Sequence, residues 1–316
     1  MKKNKEIICK SACTKTKCSM PYKWDLSIYR GCEHRCKYCY AVYSHKYLES
    51  NYRKTISLNE ANSKNFFNNI YIKTNIAEEL DKQLSKSSWK NEMIAIGTVT
   101  DSYQPIEKEH GLMREVLEVL IKHKNPAIIS TKSDIILRDL DLIEKLSELN
   151  FINIATTITS LDLKIQKAIE PNAISSKKRL DVLKKVRNQT KASTGVHFMP
   201  IIPYISDNYK HIDAIFKNAE KRNIHTLIFG SLNLYGETKK IFLKFIKKDF
   251  PEFYAEIYRI YKNGRVDRNY SKELFTKINK IKTNYHINTN YRKIIKEKLV
   301  DYRKKENLKQ TTLFDY

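Results

Sequence analysis

The chain has 316 residues, 41% of them hydrophobic, enough to bury a large core in one α/β barrel with extensions or in two domains. No apolar run approaches the ~18 residues that a membrane-spanning helix needs, so none is expected. Its 59 Lys and Arg against 35 Asp and Glu leave a formal charge of +24, and the excess sits at the ends: residues 1–60 carry 13 basic against 5 acidic side chains, and residues 232–316 carry 21 against 10. Basic ends favour a polyanion such as nucleic acid through phosphate neutralisation, although joint richness in Lys, Asn, Ile and Tyr is also what an AT-rich genome produces.

Residues 1–24 form a basic segment without a signal peptide's apolar region, so a cytoplasmic protein is expected. The segment holds Cys9, Cys13 and Cys18, and all six cysteines lie at or before Cys39. A secreted disulfide framework would staple the whole chain, so these residues read as thiols kept reduced for metal. A strand is predicted near Asp25–Tyr29, ahead of a loop containing Cys32, Cys36 and Cys39. Ser57–Asn69, with five asparagines, reads as an irregular connection. A helix is predicted at Asn75–Leu84. Short apolar strands then alternate with amphipathic helices. The strands are Met93–Gly97, Ala127–Thr131, Ile152–Ile158, Thr194–Met199 and Thr226–Ser231. The helices are Glu107–Lys122, Asp134–Leu149, Ser176–Asn188 and Asn208–Lys221. Six β/α units over residues 25–235 are short of the eight that close a barrel, so a partial (β/α)6 barrel of the TIM type with a lateral opening is expected. From about Gly236 to residue 316 the chain is charged, tyrosine-rich and predicted helical, a C-terminal extension.

The stretch Gly31-Cys32-Glu33-His34-Arg35-Cys36-Lys37-Tyr38-Cys39-Tyr40 carries the most chemistry. Three thiolates on one loop can hold three irons of a cubane cluster and leave the fourth iron open, where a four-cysteine site would close it. The competing reading is a structural zinc, a closed tetrahedron usually built from two ligand pairs. No second cysteine pair follows, but Cys18, His34 or His45 could supply a fourth ligand.

The C-x3-C-x2-C spacing with Tyr38 before the last cysteine resembles the radical S-adenosylmethionine (SAM) enzymes. The longer string Tyr29-Arg30-Gly31-Cys32-Glu33-His34 to Cys39-Tyr40-Ala41 is similar to their spore photoproduct lyase-like branch, often described as DNA repair photolyase-like. The likeness continues through Gly97-Thr98-Val99-Thr100-Asp101-Ser102-Tyr103-Gln104-Pro105, Ser130-Thr131-Lys132-Ser133, Ile169-Glu170-Pro171 and Pro200-Ile201-Ile202-Pro203, and into Gln310 to Phe314. It implies a [4Fe-4S] cluster on Cys32, Cys36 and Cys39. It further implies SAM chelated at the open iron, cleaved reductively to a 5′-deoxyadenosyl radical, with the electron coming from a donor such as flavodoxin or ferredoxin.

The resemblance also implies SAM contacts. Thr100 and Asp101 lie on the loop expected near its amino group; Asp101 could equally be a helix N-terminal acid. Lys132 and Thr157, with Thr131 and Thr156 beside them, sit at strand ends where carboxylate and ribose are expected; a solvated lysine and strand filler are the plain alternatives. Arg179 could clamp the SAM carboxylate or pair with Glu170 in a surface salt bridge. His197 could face the barrel interior or simply pack. Spore photoproduct lyase uses a cysteine downstream of the cluster loop as hydrogen donor, and this chain has none after Cys39. Cys9, Cys13 and Cys18 could hold part of a second cluster or be ordinary thiols. The expected activity is hydrogen abstraction, on damaged or modified nucleic acid, or else on a peptide or small metabolite. The non-enzymatic alternative is a metal-binding nucleic-acid module.

Overall fold

In a computed structural model the chain is described over residues 3–17, 20–52, 56–57, 61–300 and 302. Ten strands appear in chain order: β1 Lys3–Ile7, β2 Cys13–Lys15, β3 Trp24–Leu26, β4 Tyr29–Arg30, β5 Asn69–Lys73, β6 Ile94–Ile96, β7 Ala127–Ser130, β8 Ile152–Thr157, β9 Ser193–Ile201 and β10 Thr226–Ser231. Seven form one open sheet in the order β10-β9-β8-β7-β6-β3-β2. All neighbours in it are parallel except the edge pair β2–β3. The fold is thus the expected partial barrel, six parallel strands with an antiparallel edge. A small second sheet, β1-β5-β4, stands beside it.

The parallel strands read as continuous apolar runs because helices cover one face and side chains fill the other. Helices Ile76–Leu84, Leu112–Lys122, Leu140–Leu149, Ser176–Gln189 and Tyr209–Glu220 supply the outer layer. Their stripes, such as Val116, Leu117 and Leu120, or Ile212, Ile215 and Phe216, are buried in one core with Ile94, Ile129, Ile154 and Val196 of the strands.

Among the departures from the sequence pattern, three bear on the site. The predicted strand Asp25–Tyr29 divides into β3 and β4, which belong to different sheets. The predicted helix Glu107–Lys122 breaks at Gly111 into Glu107–His110 and Leu112–Lys122. The fully buried Glu107 carboxylate explains the break: it accepts from the Met113 amide at 3.0 Å, satisfying a first-turn donor of the second helix, and also from Tyr29 Oη at 2.5 Å and Arg138 Nη2 at 2.7 Å. The polar Ser57–Asn69 stretch ends at β5, whose five residues are all buried between β1 and β4.

The ends are woven into the body. Cys9 and Cys13 pack in the main core, 3% and 4% exposed, where burial raises both thiols; Cys18 and residues 310–314 lie outside the described residues. Asn75 accepts from the Cys9 amide and donates to its carbonyl, both at 2.9 Å. After β10, helices Gly236–Asp249, Tyr254–Ile260 and Arg268–Lys282 follow, and residues 291–300 are helical. Phe242, Phe245, Ile246, Ile257 and Tyr261 from these helices share a core with Cys36 and Tyr38. Among the described residues no helix is long and apolar enough to cross a membrane.

At Gly97, just past β6, φ is +91°, and a Cβ would lie 2.1 Å from the Ser130 carbonyl oxygen on β7. Gly97→Ala therefore combines backbone strain with a clash against main chain. It is expected to lower stability by about 2 kcal/mol or more, read as a lower urea midpoint with an unchanged m-value; an unshifted midpoint would contradict the close approach.

Candidate active site

The cysteine loop leaves β4 at Gly31, where φ is +88° and a Cβ would lie 2.3 Å from the Asn69 carbonyl oxygen, so only glycine fits the turn. Neighbouring segments hold the residues that follow. Cys32 N donates to Phe66 O at 3.0 Å and Lys37 N to Ile169 O at 2.9 Å. Glu33 accepts from the Ile106 amide through Oε2 and donates its own amide to Gln104 Oε1, both at 2.9 Å. Thr100 Oγ1 donates to Gly31 O at 2.5 Å, and Asn172 Nδ2 donates to Glu33 O at 2.7 Å. Thr100 and Gln104 thus brace the loop rather than extend away from it.

Asp101 ties the loop to the barrel. Its Oδ1 accepts from Thr131 Oγ1 at 2.8 Å and the Tyr103 amide at 2.9 Å; its Oδ2 accepts from His34 Nε2 at 2.9 Å and the Lys132 amide at 2.7 Å. An ionised carboxylate only accepts, so His34 donates. Burial by itself would raise this carboxyl, but His34 and Lys132 hold it well below the usual carboxylate range.

A second buried tie lies on the other side of the loop. Tyr38 Oη donates to Glu170 Oε1, and Arg179 Nη2 donates to Glu170 Oε2. Arg179 Nη1 and Nε donate to Thr157 O at 2.6 Å and Ile174 O at 2.9 Å. Arg179 is 1% exposed and is absent from the cavity lining; it anchors the wall from behind instead of presenting a surface salt bridge or reaching into the cavity.

Between these ties lies a cavity of about 540 Å³. Cys32, Cys36 and Cys39 line one side, with Tyr38; Thr100, Asp101, Lys132, Thr157 and His197 line the rest. Lys132 uses its amide on Asp101, leaving its ammonium to the cavity. Burial would lower that ammonium, but the neighbouring Cys36, Glu170 and Asp101 raise it. Thr156 is turned to the sheet, donating to Thr131 O at 2.6 Å.

The donor set fits a polynuclear cluster. Among the described residues no three His, Cys, Asp or Glu side chains converge on a point where one metal ion would sit, whereas in a cubane each thiolate binds its own iron. Of the zinc alternatives, His34 gives its Nε2 to Asp101, His45 is buried against the rings of Phe66 and Tyr71, and Cys18 lies outside the described residues. Burial pushes the Cys32 thiol up to about 12, so its thiolate needs a cationic metal centre beside it.

The family model for the Radical SAM superfamily matches residues 26–216. The chain belongs to the radical SAM superfamily. It is an enzyme of that class, and it has uncharacterized relatives in distant organisms. One from Methanocaldococcus jannaschii is 30% identical over 258 residues, covering 82% of this chain and 86% of the relative. One from Mycobacterium tuberculosis is 28% identical over 263 residues, covering 82% and 74%. Among solved structures, a doubly substituted spore photoproduct lyase with bound AdoMet and dinucleoside spore photoproduct superposes with a TM-score of 0.61 at 13% identity, covering 89% of this chain and 79% of that one. At that identity the likeness establishes a shared fold. In this radical SAM protein Tyr38, Thr100, Asp101, Lys132 and Thr157 line one cavity with the three cysteines, Arg179 does not reach it, and Gln310 to Phe314 lie outside the described residues. Glu33, Gln104 and Asn172 were not singled out as site residues by the sequence, although Glu33 and Gln104 lie inside its motifs.

The Glu170–Arg179 pair is fully buried, so removing one partner strands the other. Arg179→Leu is expected to cost about 3–5 kcal/mol in denaturant unfolding. Burial would raise the Glu170 carboxyl above its ordinary 4.5, but Arg179 and Lys132 bring it below. A depressed carboxylate contributes stability above its unfolded value and loses it as pH falls through the folded one. The wild type should therefore lose stability below about pH 4.5, and Arg179→Leu should show a flatter acid limb. Equal stability of the two proteins would overturn this account.

Proposed function

We propose that Cys32, Cys36 and Cys39 hold a [4Fe-4S] cluster, that SAM binds beside it, and that the enzyme abstracts hydrogen from a nucleic-acid substrate. The observation that carries the reading is the convergence of three loop thiols and the Lys132 ammonium on one cavity. When bound, cluster and SAM supply reductive C–S cleavage to a 5′-deoxyadenosyl radical, with the electron delivered by a donor such as flavodoxin or ferredoxin.

The chain's own residues bind and orient. Lys132 offers a charge-assisted hydrogen bond to the methionine carboxylate, and Thr157 a hydroxyl for the ribose. Asp101, with both oxygens engaged, acts through the loop it fixes and through its negative charge, which favours the cofactor's ammonium. Thr100 and Tyr38 hold the loop from the two sides, and Arg179 fixes the Thr157 strand end. A polyanionic substrate is supported by the basic helix Gly236–Asp249, which carries Lys239, Lys240, Lys244, Lys247 and Lys248. That helix is tied to the loop by Thr238 Oγ1, which donates to Cys39 O at 3.0 Å. Tyr40 lines the cavity yet is 55% exposed, available to stack on a base at the mouth.

Replacing all three cysteines by Ala should remove iron and reductive SAM cleavage from anaerobically reconstituted protein while circular dichroism stays unchanged; retained iron and cleavage would refute the assignment. Lys132→Ala should weaken SAM about tenfold to 150-fold, the equivalent of ~1.5–3 kcal/mol, in titrations of the cluster spectrum. DNA binding should fall steeply with salt, and UV-damaged DNA should alter SAM turnover. Binding without any effect on turnover would leave lysine stickiness as the explanation.

A further inference from the structure

Two polar side chains in the cavity lining are not used by the residues for cluster and SAM. Tyr291 is 5% exposed and lines the cavity, yet its hydroxyl has no hydrogen-bond partner among the described residues. His197 lines the same cavity from β9, in register with Thr157 on β8, and its buried Nε2 is likewise unpartnered there. The two rings meet edge to face with centroids 6.2 Å apart. Buried polar groups without partners are costly and rare, so two side by side in a cavity point to a ligand that satisfies them. Met20, Ala95, Ile128 and Met199 add apolar wall to the same cavity. Burial, with Lys132 nearby, pushes His197 down to about 4, so its imidazole is neutral near pH 7, with one donor and one acceptor nitrogen.

Tyr291 comes from outside residues 26–216, the part matched by the superfamily. The C-terminal segment reaches the barrel by pairing with β10, Leu227 N donating to Asn288 O at 2.9 Å. Tyr291 and Ile295 then pack on Met93, Ile128 and Phe151. One wall of the cavity is therefore supplied from outside the part matched by the superfamily model.

We propose that Tyr291 and His197 form the specificity end of the cavity and read the donor–acceptor edge of a neutral cyclic amide, as a nucleobase presents. Tyr291 donates to the ring carbonyl, and His197 accepts from the adjacent ring N–H. The assignment rests on the nucleic-acid reading above, and its test separates the two. Thymidylyl-thymidine and the same dinucleotide methylated at N3 of both bases, which lack the ring N–H, are bound to anaerobically reconstituted protein in the presence of SAM and followed by equilibrium dialysis. The wild type should prefer the unmethylated probe by about tenfold. Tyr291→Phe and His197→Leu should each weaken that probe about three- to tenfold. His197→Leu should lose the discrimination, and His197→Gln, which keeps an acceptor, should retain it. SAM affinity and melting temperature should be unchanged in all three. A wild type that binds and discriminates, with variants that do so equally well, overturns the pair as reader and leaves the nucleic-acid reading standing. Variants that weaken SAM rather than the probe assign the pair to the cofactor and also overturn it. A wild type that binds neither probe overturns both readings.

Discussion

The Asp101 carboxylate is the constraint on which the site depends. Four donors from three places in the chain meet on it: His34 of the cysteine loop, the Tyr103 amide of the loop after β6, and Thr131 with the Lys132 amide at the end of β7. A loop presenting three thiols to one cavity must hold them in fixed relation, and short loops gain such rigidity only from partners that repay the ordering entropy. A buried ionised acceptor with every lone-pair direction used is such a partner, because its bonds are charge-assisted and shielded from water. The same arrangement divides labour at Lys132: its main chain serves the scaffold, and its ammonium stays free for the cavity.

The Tyr38–Glu170–Arg179 chain performs the corresponding task on the far side. The two ties attach at His34 and Tyr38, residues that lie between cysteines of the triplet, so the intervening positions are as constrained as the cysteines. Tyr38 illustrates this: its hydroxyl is committed to Glu170, and Glu170 in turn to Arg179, whose remaining donors fix Ile174 and Thr157. The Thr157 strand end is thereby linked to the residue beside Cys39 by a continuous chain of hydrogen bonds.

Much of this was legible in the sequence where periodicity reports burial directly. Runs such as Ala127–Thr131 and Ile152–Ile158 gave β7 and β8 within a residue or two. Arg179 carried a readable signal as well. It lies three, four and seven positions before Val182, Leu183 and Val186, all on the buried stripe of helix Ser176–Gln189, so the pattern pointed it inward, although charge argued for the surface. β5 was hidden because its flanks are asparagines and it ends in Lys73, a buried lysine that burial pushes down to about 8; composition cannot announce a strand enclosed on both sides by polar neighbours. The break at Gly111 depended on Tyr29 and Arg138, partners of Glu107 far away in sequence. Tyr291 had no local signal, since its role arises from the path of the chain past β10.

The described parts of the basic ends pack into the structure of the barrel. β1 and β2 complete the two sheets. Helix Gly236–Asp249 buries Phe242, Phe245 and Ile246 against Cys36 and Tyr38, while its lysines lie along the same fourteen residues. Charge on a disordered tail would attract a polyanion without orienting it. Charge on a helix that shares its core with the cysteine loop acts from a fixed direction relative to the thiols. The apolar face that packs on the loop and the basic face are two sides of one element, and a substitution that loosens its packing should disturb both together.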